Sequence, residues 1–298
     1  MKIFYLSLVI TLLKSISTTK PVLRWIHGIG SLCIIENFTF KKYFKDFDAK
    51  CIESGMGWIG SFEKEVEKAC TKLNKEKEVL SKGFTLIGNS QGGLIARAVV
   101  ERCEIGTHVK RLITIGGPHQ GVAVIPHTKP DSYFNYLIKF CEYELFKNIV
   151  GPCGYIKDIR NSDYSKIHNT VKDVNNEYQI NEQYRARIKN LDLFMAIGFS
   201  DDQMIQPKNT SVFGFYKDVN YNSYVEMEEL DIYKKDTIGL KELNESGRLF
   251  RCIVEGDHLQ ISKEELKLLV VSFANWQNDD YKKHYDQLTE LCQFNRLN

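Results

Sequence analysis

The sequence predicts an α/β fold built on a mainly parallel sheet covered on both faces. Three observations carry that expectation. Short apolar runs recur along the chain, each ending at glycine or polar turn residues. Stretches of helical character lie between them, as the crossovers of a parallel sheet require. At residues 84–93 an apolar run, a glycine-rich turn and a helical segment follow one another without a break.

Taken in order, residues 1–20 lie outside that fold. Lys2 gives a positive start, Ile3–Leu13 is apolar, and Ser15–Thr19 is small and polar. This is the layout of a secretory signal peptide, with cleavage expected around Ser15–Lys20. A membrane anchor is the alternative, but the run is short for a bilayer. No second long apolar run follows, so a soluble mature protein is expected, with 21–298 as a single domain. A chain of 298 residues with 43% hydrophobic content can bury a sizeable core. Its net charge of +2, with no basic run, excludes a nucleic-acid footprint. Eight cysteines, none in a C-x-x-C pair, suit an oxidising compartment and speak against structural zinc. The sequons at Asn37, Asn209 and Asn244 fit the same route.

Val22–Ile26 reads as the first strand and runs into the loop His27-Gly28-Ile29-Gly30, with a short strand following at Ala49–Glu53. Ser61–Leu80 is charged with interspersed Val66, Leu73 and Val79, an amphipathic surface helix. Phe84–Ile87, Arg111–Ile115, Leu193–Phe199 and Leu249–Val254 are the later strands. Between 122 and 190 the pattern changes. Tyr133–Val150 has helical spacing, Gly151–Gly154 breaks it, and Asn161–Lys189 is polar and helical in tone. This segment reads as a helical insertion, a cap over the active edge of the sheet. The tail Tyr281–Asn298 reads as a last helix, tethered through Cys292.

Gly88-Asn89-Ser90-Gln91-Gly92 fits the G-x-S-x-G nucleophile elbow, in which a serine sits on a strained strand-to-helix turn. An ordinary glycine-rich turn is the alternative. Small residues must flank the serine at two positions on either side, and Gly88 and Gly92 supply them. A serine hydroxyl needs a base. In this fold the partners follow in the order Ser, Asp or Glu, His, each after a strand. His258 follows the last strand. Asp201 and Asp202 both follow Leu193–Phe199, and spacing does not choose between them. The amide of Gln91 and that of Ile29 are the expected oxyanion donors. His119 precedes any late carboxylate, so it reads as structural or pocket-lining. Histidines 108, 127, 168 and 284 read as surface residues. No metal or cofactor is expected.

The chain resembles the palmitoyl-protein thioesterase family of lysosomal α/β-hydrolases. His27-Gly28-Ile29-Gly30, Gly88-Asn89-Ser90-Gln91-Gly92-Gly93 and Gly116-Gly117-Pro118-His119-Gln120-Gly121-Val122 carry the resemblance in the first half. Phe213-Gly214-Phe215-Tyr216, Gly239-Leu240-Lys241 and Glu255-Gly256-Asp257-His258-Leu259-Gln260 carry it in the second. The resemblance implies hydrolysis of long-chain fatty acyl thioesters, mainly on S-acylated proteins or peptides, through an acyl-serine intermediate in a lysosomal or secreted protein. It places the nucleophile on Ser90, the histidine on His258 and the aspartate on Asp202. It also implies a disulfide between Cys70 and Cys103. The family's small bridge in the insertion is not matched position for position, although Cys141 and Cys153 could form an equivalent one. Cys252 with Cys292 and Cys33 with Cys51 are then the remaining combinations. Where the family tends to carry an acidic residue after the H-G-x-G loop, this chain has Ser31.

An acyl chain needs an apolar groove leading away from Ser90. Phe134, Leu137, Ile138, Phe140 and Leu145 in the insertion are the candidates, with packing of the insertion onto the sheet as their alternative role. A carboxylesterase or lipase acting on oxygen esters, or an acyl-CoA-type thioesterase, would use the same triad. A non-catalytic lipid-binding protein is the reading from a different class, and it leaves a complete triad unexplained.

Overall fold

The computed structural model describes residues 20–129, 132–161, 169–274 and 292–294. The expected signal peptide, apart from Lys20, lies outside them, as do His168 and His284.

Strands β1 (Val22–Ile26), β2 (Asp48–Ile52), β3 (Phe84–Asn89), β4 (Val109–Ile115), β5 (Leu193–Phe199) and β8 (Leu249–Val254) pair in parallel in the order β2-β1-β3-β4-β5-β8. This is the α/β-hydrolase fold. The central strands show no polar alternation because both faces are covered: every residue of β5 is buried. On one face lie α2 (Phe62–Asn74), α4 (Gln91–Arg102) and α7 (Glu182–Lys189), around a core that includes Phe62, Leu94, Val99 and Ile188. On the other lie α1 (Cys33–Tyr43) and α10 (Lys263–Ala274), closing over Trp25, Ile113, Met195 and Leu269.

The amphipathic segment expected over Ser61–Leu80 is two helices, α2 and α3 (Lys77–Leu80). Ser61 caps the first, accepting from the Lys64 amide at 3.3 Å. Helix α1 carried no periodic signal because Ile34, Ile35 and Phe38 face water. The connection from β4 to β5 holds the 3-10 segment Tyr133–Glu142, then α5 (Glu144–Ile149), α6 (Thr170–Val174) and α7. Between β5 and β8 come the hairpin β6 (Phe215–Tyr216) and β7 (Tyr224–Val225), then α8 (Asp231–Lys234) and α9 (Leu240–Glu245).

Four disulfides tie these elements: Cys33–Cys51, Cys70–Cys103, Cys141–Cys153 and Cys252–Cys292. The tail corrects one expectation. Gln293–Phe294 is not helical but forms β9, antiparallel to β8. The Cys252–Cys292 bond delivers the chain to a strand edge, and extended backbone there pairs groups that a helix would leave open. The rest of the expected tail helix lies outside the described residues. Among the described residues no helix is long and apolar enough to cross a membrane.

Candidate active site

Every group of interest follows a parallel strand at its C-terminal end, where open α/β sheets place their crevice. Ile29 follows β1, Ser90 follows β3, Asp202 follows β5 and His258 follows β8.

Ser90 holds the strained conformation that the elbow motif implies, with φ 54° and ψ −130°. Two glycines make this junction buildable. A Cβ on Gly88 would lie 2.1 Å from the Gly92 carbonyl oxygen, and one on Gly92 would lie 2.4 Å from the carbonyl oxygens of Ile26 and His27. Strand β3, the turn and α4 therefore pack backbone against backbone. The Asn89 side chain is turned away, its Oδ1 accepting from Trp25 Nε1 at 3.0 Å.

His258 Nε2 lies 3.0 Å from Ser90 Oγ, and its Nδ1 lies 2.7 Å from Asp202 Oδ2. With Nδ1–H donating to the carboxylate, Nε2 is left to accept the serine proton. The Asp202 side chain is fully buried, and its Oδ1 accepts from the amides of Met204 (3.0 Å) and Ile205 (2.8 Å). That carboxylate cannot rotate without losing two hydrogen bonds. Asp201 is exposed and accepts from the Ser200 hydroxyl at 2.8 Å. Tertiary contact thus separates two neighbours that spacing could not. The His258 ring fits only because Gly116 has no side chain, since a Cβ there would lie 2.8 Å from Cε1.

Gln91 opens α4 directly after Ser90, and a buried network fixes its side chain. Its Nε2 donates to Glu65, and its Oε1 accepts from the Tyr155 hydroxyl at 2.9 Å. Glu65 also accepts the Gly57 amide at 2.8 Å. Burial raises the Glu65 carboxyl above its usual range, although the Gly57 amide and Gln91 pull the other way. Sequence reasoning missed Glu65. The available signal was a carboxylate on the apolar stripe of α2, beside Phe62, Val66 and Ala69.

The loop after β1 is braced in a similar way. His27 Nε2 lies 2.7 Å from Glu53 Oε1, and Glu53 also accepts the Cys33 amide at 3.0 Å. Burial pushes the Glu53 carboxyl up, but the Cys33 amide and His27 outweigh it and hold it low. His27, Cys33 and Glu53 could converge on a metal ion by position. Cys33 is bonded to Cys51, however, so it offers no thiolate.

From Ser90 and His258 a cavity of about 620 Å³ runs into the molecule. Its walls are mainly apolar. Val122, Val124 and Ile125 come from the start of the β4–β5 connection, and Ile138, Val150 and Tyr155 from further along it. Met204 and Ile205 follow Asp202, and Leu259 follows His258. Of the five groove residues expected from sequence, Ile138 is in the wall. Phe140 and Leu145 are exposed instead, 47% and 66%, with Phe140 packing 5.3 Å from the Phe146 ring. The side chains of Phe134 and Leu137 lie outside the described ones. Ile29, Ser31 and Glu36 line the mouth, and Ser31 donates to Glu36 at 2.6 Å, so a carboxylate does stand beside Ser31.

His119 is buried away from the cavity. It stacks on Phe213 at 4.5 Å, with Nε2 2.8 Å from Thr114 Oγ1, and burial together with Arg97 holds its pKa well below the usual range. The sequon asparagines are half-buried and engaged: Asn37 accepts the Cys51 amide, Asn209 donates to Glu226 and Asn244 to the Tyr233 hydroxyl.

The family described as "Palmitoyl protein thioesterase" matches residues 21–258. Palmitoyl-protein thioesterase 1 of Caenorhabditis elegans is 34% identical over 281 residues, covering 87% of this chain and 93% of its own. Lysosomal thioesterase PPT2 of Mus musculus is 30% identical over 186 residues, 60% of each chain. A monoacylglycerol lipase structure from Paleococcus ferrophilus superposes with a TM-score of 0.49 at 15% identity, covering 86% of this chain and 95% of that one.

Proposed function

The chain belongs to the palmitoyl-protein thioesterase family of α/β-hydrolases, and from that premise we propose that it removes long-chain fatty acyl groups from S-acylated proteins or peptides. The observation that carries the reading is a Ser90–His258–Asp202 relay whose serine and histidine line an apolar cavity.

In this reading Ser90 Oγ attacks the thioester carbonyl while His258 Nε2 takes its proton. Asp202 holds the imidazole in the required tautomer and stabilises the imidazolium. The amides of Gln91 and Ile29 donate to the oxyanion, aided by the N-terminus of α4. The C–S bond breaks, and His258 returns a proton to the departing cysteine sulfur. That leaving group is undemanding, since a thiol ionises near pH 8.5, far below an alcohol. A water then repeats the sequence on the acyl-serine and releases the fatty acid. The β4–β5 connection acts as the cap that walls the acyl cavity, and no metal or cofactor enters any step. A lysosomal or secreted location fits the disulfides and the mouse relative's printed name.

Steady-state hydrolysis of matched acyl thioesters and oxygen esters of graded length tests the reading. Catalytic efficiency should climb with thioester chain length, because each buried methylene is worth about 0.8 kcal/mol. A flat length profile, or a preference for oxygen esters, would move the esterase reading ahead.

A further inference from the structure

Half of the large apolar side chains that the described residues leave exposed lie on three segments. On α1, Ile34, Ile35 and Phe38 are 81%, 64% and 82% exposed. Trp58 and Ile59 on the next loop are 52% and 75% exposed, and Leu145 on α5 is 66% exposed. These segments adjoin one another. The Gly30 amide donates to the Met56 carbonyl at 3.0 Å, Gly60 to Ile149 at 3.1 Å, and Ile59 bridges to Val150. They also interleave with the cavity wall, since Ile29, Ser31, Trp58 and Val150 line it. The exposed apolar surface is therefore the rim of the acyl cavity, on three elements of different sequence origin. Scattered apolar residues need no explanation, but a contiguous patch does.

One flank of the rim is basic. Four-residue steps along α1 lead from Ile34 and Phe38 to exposed Lys42, with exposed Lys45 beyond it; Asp46 and Asp48 are exposed carboxylates beside them, and Glu36 on the same helix is tied to Ser31. Lys20 joins this group through the Lys45 carbonyl, at 2.6 Å.

We propose that the rim seats the protein on an anionic lipid bilayer, with the cavity mouth facing the acyl layer. Apolar side chains enter the boundary between headgroups and acyl chains while the flanking lysines meet anionic headgroups. Resting on the thioesterase reading, this adds a physical route for the substrate. An acyl anchor passes from bilayer to cavity without crossing water.

The test is flotation of the intact, secreted Ser90→Ala protein with vesicles of phosphatidylcholine, alone or mixed with phosphatidylserine. Binding is then read without turnover, so failure of the thioesterase assignment leaves it untouched. Binding should be strongest on mixed vesicles, weaken with salt, and fall at least about tenfold with Ile34→Ser plus Phe38→Ser. The same pair of substitutions in the active protein should leave hydrolysis of a soluble short-chain thioester unchanged. Absence of vesicle binding, or binding unchanged by the two substitutions, overturns the proposal. So does a stable dimer that the substitutions dissociate, because a second copy would then cover the rim. A glycan found on Asn37, which lies on the same helix, would bar the face and overturn it as well.

Discussion

At the scale of single residues, the proposed nucleophile contributes little to the fold. Ser90 makes one side-chain hydrogen bond, to His258, so Ser90→Ala should leave the thermal unfolding profile intact. Turnover should fall by several orders of magnitude, as for loss of any triad nucleophile. Retention of more than about a tenth of the activity would remove Ser90 from the mechanism. The two adjacent aspartates provide a sharper comparison. Asp202→Asn presents an amide to His258 Nδ1 and favours the wrong tautomer, whereas Asp201 only meets the Ser200 hydroxyl. Steady-state rates of the two variants should differ by a factor of roughly a thousand or more, with Asp202→Asn the slower. Equal rates would break the assignment.

At the scale of elements, helix α4, which Ser90 precedes, is tied to α2. Cys70–Cys103 joins the middle of α2 to the residue that ends α4, closing a loop with a sequence separation of 33. Replacing both cysteines by serine should lower the urea-unfolding free energy by about 3 kcal/mol, mostly by freeing the unfolded chain. An unchanged midpoint would mean that the bond does not form in solution. The cavity beside Ser90 is likewise a joint product of elements. Its walls come from the β4–β5 connection and from the loops after β5 and β8, so no single helix makes it. Ile138→Asn or Ile205→Asn should therefore slow long-chain thioesters more than short ones. Equal slowing at all chain lengths would show a general folding defect instead.

At the scale of the whole molecule, buried carboxyls tune the pH range of stability. Arg97 and Glu101 form a fully buried pair on α4, and burial pushes the Glu101 carboxyl up to about 7 against the pull of Arg97. The unfolded chain loses that proton near 4.5, the folded chain only near 7, so this contribution is full below the lower value. It fades as pH rises through the upper one, by at most about 3 kcal/mol at roughly 1.4 kcal/mol per unit. Glu65 shifts in the same direction, whereas Glu53 and Asp158, held low, contribute stability that is lost only as pH falls below their ordinary values of 4.5 and 3.8. Unfolding free energy should fall between about pH 5 and 7, and Glu101→Gln should flatten that slope whatever its absolute cost. An identical slope in the variant would place the effect elsewhere. Much of this architecture was legible beforehand. Val22–Ile26, Leu193–Phe199 and Leu249–Val254 are strands with the limits that their apolar runs suggested, because a buried parallel strand is largely apolar, Arg24 and Arg251 being the charged residues within them. The elbow was equally legible, since its glycines answer to local backbone clearance. Helix α1 and strand β9 left no local pattern, the first because it exposes apolar residues and the second because a disulfide delivers it to an edge. The sequence by itself determined the strands, the elbow serine and the order of the catalytic groups, because periodicity and steric clearance are written in neighbouring residues. Spacing left Asp201 and Asp202 open and the resemblance pointed to Asp202, but only the tertiary structure shows that contact with His258, that Glu65 holds Gln91, and which side chains wall the cavity. Those contacts join segments tens to more than a hundred residues apart, and local sequence cannot encode where distant chain will lie.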